Sequence, residues 1–181
     1  LPDAPCTLLS QPTREIVRNL LLRESDLGLS LHDPDHADIH CQVIAQGKLQ
    51  LLAPHGWLQP KQKYISLQDL AGQSMVGLEG HDPLSPALEN KLHALRPAPI
   101  IQTRVQTHQM MRSMVEAGEG LAIVDPFTAL GAKSAGLDAC PLAPAVPISL
   151  YALTLKNGEP SPAVQALLGI ITEQAVAMLA N

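Results

Sequence analysis

Aromatic side chains are nearly absent from this sequence: one tryptophan, two tyrosines and one phenylalanine make up 2% of its 181 residues. Base stacking and aromatic cages are built from such rings, and there is little material here for either. Basic residues are also in deficit, 12 against 17 acidic ones, for a formal net charge of −5 at pH 7. That excludes the positive footprint of a nucleic-acid-binding surface on this polypeptide. Cysteine is sparse. Cys6, Cys41 and Cys140 form an odd set with no CxxC spacing, which suits a reducing compartment and no disulfide framework; all three read as small buried hydrophobes. No apolar stretch is read as reaching the ~18 residues of a membrane span, and no basic region followed by an apolar one opens the chain. Leu1 stands where an initiator methionine would, so the sequence reads as a piece of a longer protein. What is abundant is aliphatic: apolar residues make up 46% and charged residues 16%. A chain of this length buries roughly 70% of its unfolded surface, as one domain of ordinary size or as two small lobes.

Apolar runs alternate with segments of helical period along the chain. Cys6 to Leu9 reads as a first strand, followed by Pro12 and a helix carrying Ile16, Val17, Leu20 and Leu21 on one face, with proline where a missing N–H costs least. Asp26 to Leu31 is a short strand, and Ile39 to Pro54 a long extended segment broken at Gly47-Lys48. Ser66 to Leu70 predicts a turn of helix and Ser74 to Leu78 a strand. Asp82-Pro83 caps a helix with Leu84, Ala87, Leu88, Leu92 and Leu95, stopped by Pro97 and Pro99. Ile100 to Val105 is a strand, Thr107 to Ala117 a helix with Met110, Met111, Met114 and Val115 inward, and Gly118 its end. Leu121 to Val124 is a buried strand, and Pro126 opens a further helix or turn. A proline-spaced connection through Pro141, Pro144 and Pro147 leads to a strand over Ile148 to Leu155. A last helix from Ser161-Pro162 carries Val164, Leu167, Leu168 and Ile171 at i, i+3, i+4 and i+7. Such alternation of strand and helix implies an α/β fold with largely parallel sheets.

Several motifs are tempting and fail on context. His32, His36 and His40 stand four apart, the spacing of zinc ligands on one helical face, but Pro34 obstructs a helix there. A polar surface loop is the favoured reading and no metal is assigned, with zinc binding by the three histidines as the alternative. Gly72-Gln73-Ser74-Met75-Val76-Gly77 lacks the spacing of a nucleophile elbow and precedes a strand instead of ending one. Gly118-Glu119-Gly120 follows a helix and precedes a strand, the reverse of a dinucleotide fingerprint; a helix cap and a tight turn explain it. No nucleophile and base are juxtaposed, so no catalysis and no cofactor are expected.

Four strand-to-helix junctions carry small polar groups: Ser10-Gln11-Pro12-Thr13, Gly80-His81-Asp82-Pro83, Gln106-Thr107-His108 and Asp125-Pro126-Phe127-Thr128. In open α/β sheets, ligands bind beyond the carboxyl ends of strands, where helix N-termini present free N–H groups. Hydroxyls of Ser10, Thr13, Thr107 and Thr128 add donors and acceptors. Plain N-capping explains any one junction; the four together point to a small-molecule cleft.

Three stretches, in order, resemble the effector-binding domain of LysR-type transcriptional regulators. Thr13 to Ile16 through Leu22 to Leu29 looks like that family's loop, helix and "DLG" strand. Leu51 to Gly56, then Ile65 to Gly72, looks like its lobe-crossing strand and the entry to its second lobe. Met114 to Pro126 looks like its "lV.aG.Gia..P" segment. Together they cover essentially the whole chain.

The resemblance implies a two-lobed, type II periplasmic-binding-protein-like α/β fold with two crossing strands. Residues 1–56 would begin lobe I, 57–146 form lobe II, and 147–181 return to lobe I. The family's N-terminal helix-turn-helix has no counterpart in this sequence, and its first strand and helix are read as missing too. A small-molecule effector would sit in the inter-lobe cleft of a cytoplasmic, non-membrane protein, a homodimer or homotetramer at full length, touching promoter DNA only through the missing domain. The alternative is a stand-alone solute-binding protein of the same fold. By match to the family's positions, the effector-binding residues are Ser10, Gln11 and Thr13, then Gly80 and His81, Gln106 and Thr107, and Asp125, Phe127 and Thr128. The variant Val124 to Ala129 is similar to regulators of opine and amino-acid catabolism, which implies an amino-acid-like ligand.

Overall fold

The computed structural model describes residues 5–79 and 84–180. In chain order the elements are α1 (Thr13–Leu21), β1 (Gly28–Ser30), β2 (Ile39–Lys48), β3 (Gln50–Pro54), β4 (Ile65–Ser66), a 3-10 turn (Leu67–Leu70), β5 (Ser74–Leu78), α2 (Leu84–His93), β6 (Ile100–Val105), α3 (His108–Glu116), β7 (Ala122–Val124), α4 (Pro126–Ala129), a second 3-10 turn (Lys133–Ala135), β8 (Leu137–Ala143), β9 (Pro147–Leu155) and α5 (Pro162–Leu179). They divide into two units, one built from Leu1–Gln46 with Ile148–Asn181, the other from Gly47–Pro147.

The first unit has a three-stranded sheet in the order β1-β9-β2, with β1 antiparallel to β9 through Gly28↔Leu153 and Ser30↔Tyr151. Pro12 precedes α1 in extended conformation and Glu15 lies in the first turn, both favourable at a helix start. Val17 and Leu20 are buried and join Ile39 and Leu153 in a small core. The helix lies close on the sheet: a Cβ at Gly28 would collide with Ile16 Cγ2.

In the second unit, β3 is antiparallel to β7 on one side and to β8 on the other, and β8 runs parallel to β4. A parallel pair, β5 with β6, connects to the chain ahead of β7 through Met75↔Leu121. Helix α3 lays Met111 and Val115 onto Leu52, Val76, Ala122 and Val124. A capping box at Ser66 and Asp69 closes the first 3-10 turn.

Five expectations change, the first being the largely parallel sheets: of the strand pairs given above, three are antiparallel and two parallel. Residues 6–9 form no strand and are exposed, Leu8 at 89%, because no strand pairs with them and an unpaired strand has no ladder to stabilise it. The supposed proline connection contains β8, paired on both sides; Pro141 takes the last rung of the β3 ladder, opposite Gln50, where a lost N–H disrupts least. Met110 is 46% exposed, since one step from Met111 turns it away from the α3 core face. Finally, α5 is by length and composition apolar enough to cross a membrane, an 18-residue run that escapes notice in the sequence because Gln165, Thr172, Glu173 and Gln174 punctuate it. Its expected face, Val164, Leu167, Leu168 and Ile171, is half-buried and continues into buried Ala175.

Candidate functional site

In the first unit the predicted residues cluster at the start of α1. Ser10 is exposed, and Gln11 Oε1 accepts a 2.8 Å hydrogen bond from Asn19 Nδ2 on the helix. Thr13 Oγ1 lies 3.0 Å from Ser30 Oγ, at the end of β1. Ser30 Oγ donates its hydrogen to the His32 carbonyl at 2.7 Å and accepts from His32 N–H at 3.2 Å. A hydroxyl has one hydrogen, so Thr13 is the donor to Ser30 and keeps both its lone pairs.

In the second unit, Thr107 caps α3, its Oγ1 accepting Met110 N–H at 3.1 Å; Gln106 beside it is exposed. Asp125 is 4% exposed and caps α4: Oδ1 accepts N–H bonds from Phe127 at 2.8 Å and Thr128 at 2.9 Å. Its Oδ2 accepts the Thr128 hydroxyl at 2.6 Å and meets His108 Nδ1 at 2.7 Å. Four donors fill the roughly four acceptor positions of a carboxylate. Burial by itself pushes the Asp125 carboxyl up, but hydrogen bonds from His108 and Thr128 and the attraction of His108 outweigh it, so the group is held below the usual carboxylate range. An ionised oxygen 2.7 Å from a ring nitrogen requires a proton between them, which places a hydrogen on Nδ1 of His108. Asp125 N–H is also 3.2 Å from Nδ1, but a protonated nitrogen does not accept it.

Arg112 ties α3 to the far end of α4 through the carbonyls of Thr128 and Leu130, at 3.4 and 3.0 Å. Phe127 is half-buried. Thr107, Asp125 and Thr128, with Gln106 and Phe127 adjoining, thus belong to one pair of helix starts. Gly80 and His81 lie outside the described residues.

The sequence names His108 in a junction without giving it a role, and it overlooks Ser30. Elsewhere in this unit, a cavity of ≈ 260 Å³ lies beside α2, lined by Leu78, Glu89, His93 and Arg104 among others; within that lining, Arg104 and Glu89 form an ion pair at 2.5 Å. Among the described residues, no three histidines, cysteines or acids gather into a metal-binding set, and the His32–His40 run lies outside any helix, with His40 in β2. Of the cysteines only Cys140 is buried, while Cys6 is exposed and Cys41 half-buried. Burial and the neighbouring Asp33 push the Cys41 thiol up to about 11.

Two α/β units of this kind define the regulatory domains of type II periplasmic-binding-protein-like fold. The effector-binding domain of QuiR in complex with shikimate superposes with a TM-score of 0.71 at 20% identity, over 91% of this chain and 78% of that one. HinK, a LysR family transcriptional regulator from Pseudomonas aeruginosa, gives 0.71 at 22% identity, over 94% of this chain and 60% of that one. Among curated sequences, the transcriptional activator protein LysR of Escherichia coli (strain K12) is 26% identical over 172 residues, 93% of this chain and 54% of its own length. The family model for the LysR substrate binding domain matches residues 1–176, and the chain belongs to that family. It spans about half the length of the curated relatives it matches.

Proposed function

We propose that this chain is the ligand-sensing part of a LysR-type transcription regulator and binds a small, amino-acid-like effector. The observation that carries the reading is the family match across residues 1–176; the polar helix starts at Thr13, Thr107 and Asp125 supply the chemistry. The chain performs no reaction on its ligand. Its output is a shift between conformations, bounded by the difference in the effector's affinity for each. In the cell it works in the cytoplasm as part of a homodimer or homotetramer, and promoter DNA is contacted by a helix-turn-helix segment outside this sequence.

A thermal-shift screen of amino acids and opines tests the reading, because a ligand that binds only the folded state raises the melting temperature, by about 2.7 kcal/mol of stability at a hundredfold excess over Kd. No shift from any member would overturn it. Thr13→Ala is expected to weaken effector binding by about 1–3 kcal/mol, measured by calorimetry. An unchanged dissociation constant would remove Thr13 from the site.

A further inference from the structure

We propose that the cavity between α2 and β6 is a second ligand site, one that takes a small organic cation: an amine or guanidinium on a short aliphatic body. It stands apart from the effector reading above and from the polar helix starts on which that reading draws.

The cavity follows from how α2 is built. Leu88 and Leu92 turn one flank of the helix inward, half-buried and buried respectively. Pro86, Glu89, Asn90 and His93, at i, i+3, i+4 and i+7, form the opposite flank. Those four share the lining of the ≈ 260 Å³ cavity with Arg104 of β6 and Glu79 at the exit of β5. Gly77 makes room for the arginine. It stands opposite Arg104 in the β5–β6 ladder, and a Cβ there would lie 2.8 Å from Ile101 Cγ2 and 3.2 Å from Arg104 Nη1. The Arg104 side chain thus lies across the glycine and reaches the helix.

Within this lining the guanidinium is already spent. Arg104 Nη1 and Nη2 donate to the two Glu89 carboxylate oxygens at 2.5 and 3.4 Å, and Nη1 reaches the Leu78 carbonyl at 3.3 Å. The hydrogen bond with Glu89 is the main cause that raises the pKa of Arg104, and the charge of Glu79 adds to it. The Glu79 side chain itself has no partner among the described residues. One guanidinium therefore faces two carboxylates, and the surplus is negative. A ligand carboxylate would have to displace Glu89 from Arg104 and would still face Glu79. A primary ammonium brings three hydrogens and an alkylguanidinium five, with no acceptor on either. Both find acceptors in the Glu79 carboxylate and the Asn90 side-chain carbonyl, while Leu78 and Pro86 give the aliphatic part an apolar wall. The volume is just below the roughly 300 Å³ at which drug-sized pockets begin, which limits the ligand to a few carbons. Other cations nearby do not reverse the charge: Arg96 is committed to the His93 and Leu95 carbonyls, and Lys91 lies outside the lining.

The test titrates the isotope-labelled 181-residue chain with butylamine, butylguanidine, butanol and butyrate, read by amide NMR at pH ~8, above the ordinary imidazole range. The two cations should bind roughly tenfold more tightly than the neutral and anionic compounds and move the amide signals of Glu79, Asn90, His93 and Arg104. Glu79→Gln keeps the size of an exposed side chain and removes the surplus charge. It should hold the melting temperature to within a few degrees and lose most of that preference. Glu119→Gln, which neutralises an exposed acid outside the lining, should preserve it. Equal binding of all four compounds would overturn the site, as would a preference that survives Glu79→Gln. Loss of the preference in both variants would also overturn it, by reducing the binding to attraction toward the net charge of −5. Each of these failures leaves the effector reading standing, since that reading is tested by other ligands.

Discussion

Replacing Asp125 with alanine should cost about 3–5 kcal/mol of unfolding free energy, the range for removing one member of a buried, charged hydrogen-bond network. Four donors lose their acceptor at once: the backbone N–H groups of Phe127 and Thr128, the Thr128 hydroxyl and the His108 ring. Each buried donor left unpaired costs about 1–3 kcal/mol, and the four are not additive because relaxation of α4 lets water reach some of them. Asparagine in place of the acid is the milder change. Its carbonyl can still cap α4, but its amide turns donors toward a hydroxyl and a ring nitrogen that are already donating, so Asp125→Asn should cost about 1–3 kcal/mol. Denaturant titration with an unchanged m-value would read both losses. The pH dependence has a definite sign. The folded-state carboxyl is held below its ordinary value, so its contribution is fully present above the unfolded-state value of about 3.9 and is lost as pH falls through the folded one. The stability gap between the native chain and Asp125→Asn should thus be widest at neutral pH and narrow below pH ~4. A gap of constant size down to pH ~3 would mean that the carboxylate charge contributes nothing to the network.

The two residues that sequence reasoning passed over show where such reading ends. Thr107 and Asp125 were visible because capping is local: the acceptor and the N–H it serves are two or three residues apart. His108 and Ser30 work on partners 17 residues away, Asp125 and Thr13 respectively, and no periodicity links positions that far apart. The fold follows the same division. β5 and β6 occupy the spans read from their apolar runs, Ser74–Leu78 and Ile100–Val105. β8 escaped notice because Leu-Asp-Ala-Cys-Pro-Leu-Ala has no β-branched residue and contains a proline; it is a strand because β3 and β4 flank it. Residues 6–9 are the converse, a strand-like composition with nothing beside it. Pairing in a sheet is a property of the neighbours as much as of the strand. Membership of the family was legible because it rests on the order of several weak motifs along the chain, and that order survives local misreadings of this kind.

Gly120→Ala should be as damaging as loss of Asp125, at about 3–5 kcal/mol, although the residue lies in a turn and carries no side chain. Two costs combine. Its φ of +139° lies in a region essentially reserved for glycine, where a side chain adds about 1–3 kcal/mol of backbone strain. In addition, a Cβ here would stand 2.6 Å from the Ser74 carbonyl oxygen and 2.9 Å from its carbon, and both are backbone atoms that cannot swing aside. Overpacking of that kind adds about 1–3 kcal/mol. The contact cannot be relieved by a small shift, because the same carbonyl accepts Leu121 N–H at 2.9 Å and Val76 N–H reaches the Leu121 carbonyl at 2.8 Å. Moving Ser74 away from residue 120 therefore pulls apart the junction of β5 with the chain entering β7, against which α3 packs Met111 and Val115. Gly118, two residues earlier, is the internal control. It also has a positive φ, +84°, but nothing lies within 4 Å of its Cβ position. Gly118→Ala carries the conformational cost alone, about 1 kcal/mol. Thermal unfolding of the two variants side by side separates strain from crowding: a melting temperature for Gly120→Ala several times further below the native value than that of Gly118→Ala is expected. Equal shifts would show that β5 yields to the added methyl and that the glycine at 120 is required only for its backbone angle.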